Sequence, residues 1–165
     1  MNEYDVTKYE KREMIAKYVS KIDEMTKEAE LKFAELQKEA ETDSGEIDPT
    51  DLVTEQNYSI SIMQKWITKM AEEKTTLKKI NKRIYEMDAE LYDYYKHNWD
   101  KSTNITDKAI EKYSKGHPCL LAVTTYAKTV EDIVEYTRSV IEVHKSRQFA
   151  IKNIIELKKM ELGIT

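Results

Sequence analysis

Cationic side chains interrupt an otherwise apolar helical segment near the end of this sequence. In VHKSRQFAIKNII, residues 143–155, Lys145, Arg147 and Lys152 stand among Val, Phe and Ile residues. Arg147 falls on the apolar stripe itself, and a buried guanidinium without a partner is energetically costly. Two interpretations follow with equal weight: Arg147 pairs with an acid of a neighbouring subunit and fixes the register, or it faces a groove where an anion binds.

A second cationic cluster lies in the middle of the chain. The segment KWITKMAEEKTTLKKINKR, residues 65–83, carries seven Lys or Arg against two Glu. Such a ladder could follow a phosphate backbone, whereas the segment taken alone favours the solvated outer face of a coiled coil. The candidate phosphate-binding cations recur at four-residue spacings in two neighbouring rows: Lys74, Lys78, Lys79, Lys82 and Arg83.

Tyrosines adjoin these cations in YDYY, residues 92–95, and Trp99 follows shortly after. Exposed aromatic rings beside Lys and Arg can stack single-strand bases with little sequence preference. Tyr95, which is followed by Lys96, is the better stacking candidate, because Tyr94 completes an apolar helical stripe. The pattern makes Tyr95 and the adjacent Lys96 candidate DNA-binding residues.

Enzymatic signals are weak in this sequence. Its three glycines are widely scattered and form no phosphate-binding loop. His97, His117 and His144 have no metal-ligand spacing with one another or with Cys119, and no Ser–His–Asp set is suggested. We therefore predict a protein that is not an enzyme and that has no cofactor and no metal site.

The composition indicates one domain built from long helices. The 165 residues are 40% hydrophobic and 35% charged, with three Gly and two Pro, a balance that favours helices over a sheet. A chain this charged can bury helical seams but no thick core, which favours self-association. The lone Cys119 fits a reducing compartment. Because no apolar run reaches roughly 18–20 residues and no apolar leader is present, we predict a soluble, intracellular protein without membrane contact.

Hydrophobic periodicity and breaker residues predict four helices, at about Thr7–Glu41, Asp51–Lys96, Thr106–Lys115 and Cys119–Leu162. The second helix carries a strict alternation of four- and three-residue spacings from Met63 to Tyr94. A repeat of this length is typical of a coiled-coil seam.

Charge is distributed unevenly between the two parts of the chain. Residues 1–57 carry 16 acids and 8 bases, whereas residues 58–165 carry 15 acids and 19 bases. We predict an all-α fold that is a single domain overall. It comprises an acidic amphipathic N-terminal extension (1–46), a long central helix (47–100), and a short helix followed by a C-terminal oligomerisation helix (101–165).

The last helix carries two adjacent apolar stripes, and so wide a face can contact two partners at once. This pattern predicts coiled-coil hairpin or bundle packing within a ring-like homo-oligomer. The residues predicted to form the oligomer are Tyr126, Ile133, Tyr136, Val140, Val143, Ile151 and Ile154.

Four segments together resemble the UvsY-type recombination mediator proteins of large tailed phages. They are IDPTDLVTE at 47–55, QKWITK at 64–69, LYDYY at 91–95 and KSRQFAIKNI at 145–154, and they occur in the family's order. The resemblance covers about residues 34–162 and depends on the order and separation of the segments.

This resemblance implies a non-enzymatic helical protein that assembles into rings and binds single-stranded DNA. Such proteins help a RecA-like phage recombinase displace the single-strand-binding protein, in the cytoplasm of an infected bacterial host. By the same resemblance, KSRQFAIK belongs to assembly or to a charge network between subunits, with DNA contact as a second possibility.

Two features depart from the family pattern. The first 33 residues extend beyond the family core, and EMDAEL at 86–91 has three acids where family members carry DNA-contacting bases. The acids, with the net charge of −4, support an alternative function as a structural coiled-coil scaffold without DNA binding. If DNA does bind, its contacts move to cations on either side of this segment: Lys78, Lys79, Lys82 and Arg83 before it, or Lys96 and Lys101 after it.

Overall fold

The computed structural model describes residues 11–98 and 106–163, and every regular element in these ranges is a helix. The elements are α1 (Arg12–Asp43), α2 (Leu52–Asn98), α3 (Asp107–Lys115) and α4 (Pro118–Glu161). The predicted all-α class is confirmed, and the helix ends lie within two residues of the predicted ones wherever both can be compared. The predicted start of the first helix at Thr7 lies outside the described residues, as do Trp99 and Lys101.

Short polar side chains and helix-breaking residues set the helix ends. Asp51 precedes α2 and accepts a hydrogen bond from the backbone N–H of Thr54 at 3.1 Å, and Thr106 does the same for Ala109 at 3.3 Å before α3. Each such cap satisfies a donor that has no partner in the first helical turn. Gly116 then ends α3, and Pro118 occupies the first position of α4, where its fixed φ and missing N–H are tolerated.

The helices pack into two compact units. Unit 1 comprises Met1–Leu31 with Thr75–Glu131, and unit 2 comprises Lys32–Lys74 with Asp132–Thr165. Helices α1, α2 and α4 therefore each contribute to both units. The division of the chain at residues 46 and 100 remains a prediction, because it follows sequence segments rather than packing.

Unit 1 encloses an apolar cluster to which α1, α2 and α4 all contribute. Ile15, Tyr18, Val19 and Met25 of α1 pack against this cluster, so the first part of α1 covers apolar side chains of the other two helices. The buried members are Ile22, Ile80, Met87, Leu91, Cys119, Leu120, Val123, Ala127 and Val130.

Unit 2 buries large side chains together with the carboxylate of Glu73. Trp66 is fully buried, and the rings of Phe33 on α1 and Tyr136 on α4 meet edge to face with centroids 5.3 Å apart. Glu73, the one charged position in the seam predicted for α2, is buried and binds the ammonium group of Lys32. The pairing explains why an apolar seam tolerates this carboxylate.

Candidate nucleic-acid interface

The predicted lysine rows lie exposed on α2. Lys78, Lys79 and Lys82 belong to unit 1, and Lys74 lies on the same helix in unit 2. The ammonium of Lys82 lies 3.6 Å from the carboxylate of Glu86. Among the described residues, Lys74, Lys78 and Lys79 have no acidic partner within ion-pairing distance. Their ammonium groups are therefore hydrated and accessible to a phosphate backbone.

The acidic segment at 86–91 has two distinct structural roles. Glu86 and Glu90 lie 3.8 and 3.4 Å from the guanidinium of Arg83, which is half-buried. Asp88 instead accepts a hydrogen bond from the hydroxyl of Ser114 at 2.5 Å and thereby attaches α3 to α2. The segment thus neutralises one predicted DNA-binding cation and positions a neighbouring helix.

A row of tyrosines continues the lysine face along α2. Lys78, Lys82, Tyr85, Tyr92 and Lys96 follow one another at spacings of three, four or seven residues and so share one side of the helix. The side chain of Tyr85 is 79% exposed, and the ammonium of Lys96 lies 5.7 Å from the ring centre of Tyr92. Cations alternating with accessible rings are the arrangement that single-strand binders use.

The two tyrosines line an open cleft of about 580 Å³ in unit 1. The hydroxyl of Tyr92 donates to Asp107 at 3.1 Å, and this hydrogen bond raises the pKa of Tyr92, which therefore stays protonated. The sequence analysis did not single out Tyr85 or Tyr92 as binding residues. The signal was present, since Tyr85 follows Lys78 by seven residues and Lys82 by three.

Tyr95, the predicted stacking residue, is half-buried. Its ring packs against the apolar cluster of unit 1, with the rings of Tyr113 and His117 centred 6.0 and 6.4 Å away. Burial raises the pKa of Tyr95. One face of this ring is thus taken up by packing, which leaves less of it for a base than Tyr85 offers.

The C-terminal cations occupy different environments in unit 2. Lys152 is exposed and has no ion pair with a described residue, while Lys145 pairs with Glu142 at 2.7 Å. Arg147 donates to the backbone carbonyls of Gly45 and Glu46.

Arg147 also binds the carboxylate of Glu55, at 2.5 Å. The acid that compensates its charge therefore comes from the same chain, so the expectation of a neighbouring subunit's acid or an anion-filled groove is wrong. Local sequence could not reveal Glu55, because it lies 92 residues away.

A second polar cluster in unit 2 joins the end of α1 to α2. The indole N–H of Trp66 and the ammonium of Lys65 both donate to Asp43 at 2.8 Å. Lys65 also reaches Glu39, and Lys69 binds Glu39 as well. These two lysines therefore serve packing in this chain.

The same contacts shift two pKa values in unit 2. Hydrogen bonds from Lys65 and Lys69 lower the pKa of Glu39. Burial opposes protonation of Lys65, but hydrogen bonds to Asp43 and Glu39 outweigh it and raise the pKa of that ammonium. Both groups are thus held in their charged forms.

The predicted oligomerisation residues differ in accessibility. Ile133, Val140 and Ile151 are buried by their own chain, and Val143 is exposed. Tyr126, Tyr136 and Ile154 are half-buried. The accessible apolar side chains of α4 in unit 2 therefore include Val143 of the predicted set and three residues outside it: Phe149, Leu157 and Met160.

His144 is buried in unit 2, and no described residue hydrogen-bonds to either of its ring nitrogens. Burial lowers its pKa, the nearby Arg147 and Lys65 act in the same direction, and Asp43 opposes them.

Across residues 11–98 and 106–163, no cluster of three or more His, Cys, Asp or Glu side chains could hold a metal ion. No helix in these ranges is long and apolar enough to cross a membrane.

The fold and the surface together define a class of all-helical protein in which one long helix presents an accessible row of lysines and tyrosines. The chain belongs to the UvsY family, because the family model described as "Recombination, repair and ssDNA binding protein UvsY" matches residues 39–164. The predicted resemblance over about 34–162 is confirmed.

One solved structure supports the same fold. The crystal structure of the bacteriophage T4 recombination mediator protein UvsY matches with a TM-score of 0.66 at 23% identity, covering 78% of this chain and 97% of that chain. No curated protein matches this chain. Most of α1 precedes residue 39 and is thus additional to the region that the family model matches.

Proposed function

We propose that this protein is a recombination mediator that binds single-stranded DNA. In this role it helps to load a RecA-like phage recombinase onto strands covered by single-strand-binding protein. Membership of the UvsY family supports the role, and the lysine and tyrosine row on α2 supports the mode of binding. The observation that carries the proposal is the exposure of Lys78, Lys82 and Lys96 on the same side of α2 as the exposed ring of Tyr85.

The proposed DNA site is centred on Lys78, Lys82, Tyr85, Tyr92 and Lys96 in unit 1. The ammonium groups contact phosphates, and the exposed ring of Tyr85 stacks on a base. Because phosphate contacts release counterions, affinity falls as salt rises. The remaining predicted contacts take lesser roles in the proposal: Lys79 beside the row, Lys74, Lys145 and Lys152 in unit 2, and Arg83 and Tyr95, whose side chains also serve packing. Arg147 has no DNA contact in the proposal, because its guanidinium is paired with Glu55.

Self-assembly into a ring is the second part of the proposal. A few lysines bind a strand weakly, whereas a ring of subunits sums weak sites through a high effective concentration. Such an assembly holds a strand while each individual contact exchanges quickly. In the proposal, the exposed side chain of Val143 contacts the neighbouring subunit, and the half-buried Tyr126, Tyr136 and Ile154 contribute to the same contact. The buried Ile133, Val140 and Ile151 hold α4 in place against the rest of its own chain.

The alternative function is a structural coiled-coil scaffold without a DNA role. One observation favours it: Glu86 and Glu90 offset Arg83 next to the lysine row. The two functions differ in a single measurable property, which is the affinity of the assembled protein for unpaired DNA.

Binding of fluorescent oligo-dT, followed by anisotropy at about 50 mM and at higher salt, tests the proposal. The solution mass is measured in parallel. We expect tight, salt-sensitive binding by an oligomer, and at least roughly tenfold weaker binding for the Lys78→Ala/Lys82→Ala variant. The matched control is Lys17→Ala/Lys21→Ala, which removes two exposed cations at the same spacing on α1. An intact oligomer that does not bind at about 50 mM salt would establish the scaffold function instead.

A further inference from the structure

An uncharged stripe faces outward along the first part of α2 in unit 2. Val53, Ile60 and Ile67 recur at seven-residue intervals and all three are exposed, Val53 to 70%. The stripe, here called the α2 stripe, occupies six positions of one heptad register, of which Met63 and Met70 are half-buried and also lie on the seam predicted for this helix: Val53, Gln56, Ile60, Met63, Ile67 and Met70. None is charged in a chain in which 35% of residues are. Loss of charge is the compositional mark of a protein interface core, and β-branched residues at heptad spacing are typical of a coiled-coil seam.

A second uncharged stripe faces outward on α4 in the same unit. Val143 is 55% exposed and Leu157 is 60% exposed. Here called the α4 stripe, it again occupies six positions of one heptad register: Val143, Ser146, Ala150, Asn153, Leu157 and Met160. The two stripes have the same spacing and the same length, about 26 Å at ~1.5 Å per residue.

The two stripes complement each other in size, and neither carries a charged residue. The α2 stripe is bulky throughout, whereas the α4 stripe has small or short side chains at Ser146, Ala150 and Asn153. Bulky residues of one helix fit the spaces above small residues of another when helices pack. Because Ile60 and Ile67 of one stripe and Val143 and Leu157 of the other are exposed in one chain, the two stripes do not cover each other within it.

We infer that the α4 stripe of one copy of this chain docks onto the α2 stripe of the next copy. This inference rests on the self-assembly in the proposed function and specifies its interface. The contact joins two different surfaces, so every added subunit still presents one free stripe of each kind. A contact of this kind generates a ring when the rotation between subunits closes.

Pairing of identical stripes is less favourable for one of them. Two α4 stripes would set Ser146, Ala150 and Asn153 against each other and bury little apolar area, and buried apolar area drives association. Two α2 stripes would bury more apolar area, but that contact would form a dimer in which both α2 stripes are covered and both α4 stripes remain exposed. Only the mixed contact covers both stripes.

Cysteine cross-linking between differently labelled subunits tests the pairing. Size-tagged Ile60→Cys subunits are mixed with untagged Ala150→Cys or Asn153→Cys subunits, so that both directions of the docked helix are represented. After mild oxidation we expect a tagged–untagged disulfide dimer with at least one of the two partners, in several-fold excess over either like pair. Wild-type subunits, whose Cys119 is buried, give the background. Like pairs in excess, or no cross-link above background, would overturn the inference.

A charge substitution separates this inference from the proposed assembly. Ile67→Lys should abolish the oligomer measured by sedimentation, while Leu121→Lys, which alters a somewhat more exposed apolar residue of α4 in unit 1, should leave it intact. Circular dichroism checks that both variants keep their helices. A wild-type monomer would overturn the assembly itself; a wild-type oligomer that survives Ile67→Lys would overturn only the α2–α4 contact.

Discussion

Arg147 and Glu55 lie 92 residues apart in the chain, and their guanidinium and carboxylate meet at 2.5 Å. Only 11% of the arginine side chain and 17% of the glutamate side chain is exposed. The same guanidinium binds the carbonyls of Gly45 and Glu46. A single side chain of α4 therefore holds both the start of α2 and the segment that connects it to α1.

Removing the arginine should destabilise the protein substantially. Arg147→Met leaves Glu55 poorly solvated and unpaired, and we expect a loss of about 2–3 kcal/mol in the free energy of unfolding, less than a fully buried pair would give. The measurement is urea unfolding followed by circular dichroism. Arg138→Met is the control, because Arg138 and Glu135 form an exposed pair at 2.8 Å that should contribute at most about 1 kcal/mol. Equal losses for the two variants would contradict this assignment.

Periodicity predicts much of the fold because the helices bury regularly spaced side chains. Trp66, Met87 and Leu91 lie on the seam predicted for α2 and are almost completely buried. Glu73 interrupts that seam in sequence, and the structure shows the compensating Lys32. The sequence carries the burial pattern but not the identity of distant partners such as Glu55, which depends on how the helices pack.

The candidate site was predicted in part. The spacing of the lysines predicted the accessible face of α2, because residues three or four positions apart lie on the same side of a helix whatever the tertiary fold. The accessibility of the aromatic residues was not predicted, because Tyr95 turns toward the apolar cluster while Tyr85 points outward. Whether α3 would cover Tyr95 or Tyr85 depends on contacts such as Ser114 with Asp88, which periodicity does not encode.

Neutralising the two acids beside Arg83 should strengthen DNA binding. Glu86→Gln/Glu90→Gln frees Arg83 and Lys82 from their carboxylate partners, and we expect roughly threefold or greater tightening of oligo-dT binding at low salt. The effect should shrink as salt rises, because released counterions drive the added affinity. Anisotropy titrations at two salt concentrations measure it.

The matched control for that change is Glu131→Gln, which removes an exposed carboxylate on α4 that pairs with Lys128 at 3.3 Å. It should leave DNA affinity nearly unchanged. If all acid substitutions tighten binding equally per charge, net charge rather than the environment of Arg83 governs affinity.

The hydrogen bond from Trp66 to Asp43 should contribute to stability beyond simple packing. Trp66→Phe removes the indole N–H and part of a fully buried ring, and we expect a loss of about 2–4 kcal/mol in the free energy of unfolding. Asp43→Asn keeps an acceptor for the indole and loses only the charge that faces Lys65, so its cost should be smaller, about 1 kcal/mol. Urea unfolding compares the two, and a larger loss for Asp43→Asn would show that the Lys65 contact dominates.

Buried His144 should make stability depend on pH below neutrality. Its pKa is lowered by burial and by Arg147 and Lys65, with Asp43 acting in the opposite sense, so the unfolded chain binds a proton more readily than the folded one. Stability associated with neutral His144 is therefore complete above the ordinary histidine pKa of about 6.5 and is lost as the pH falls below it. Thermal unfolding at pH 7.5 and 5.5 should show a lower Tm at the acidic pH. The drop should be smaller in His144→Leu and unchanged in His97→Gln, which alters an exposed histidine; the same drop in all three proteins would mean that His144 does not titrate in this range.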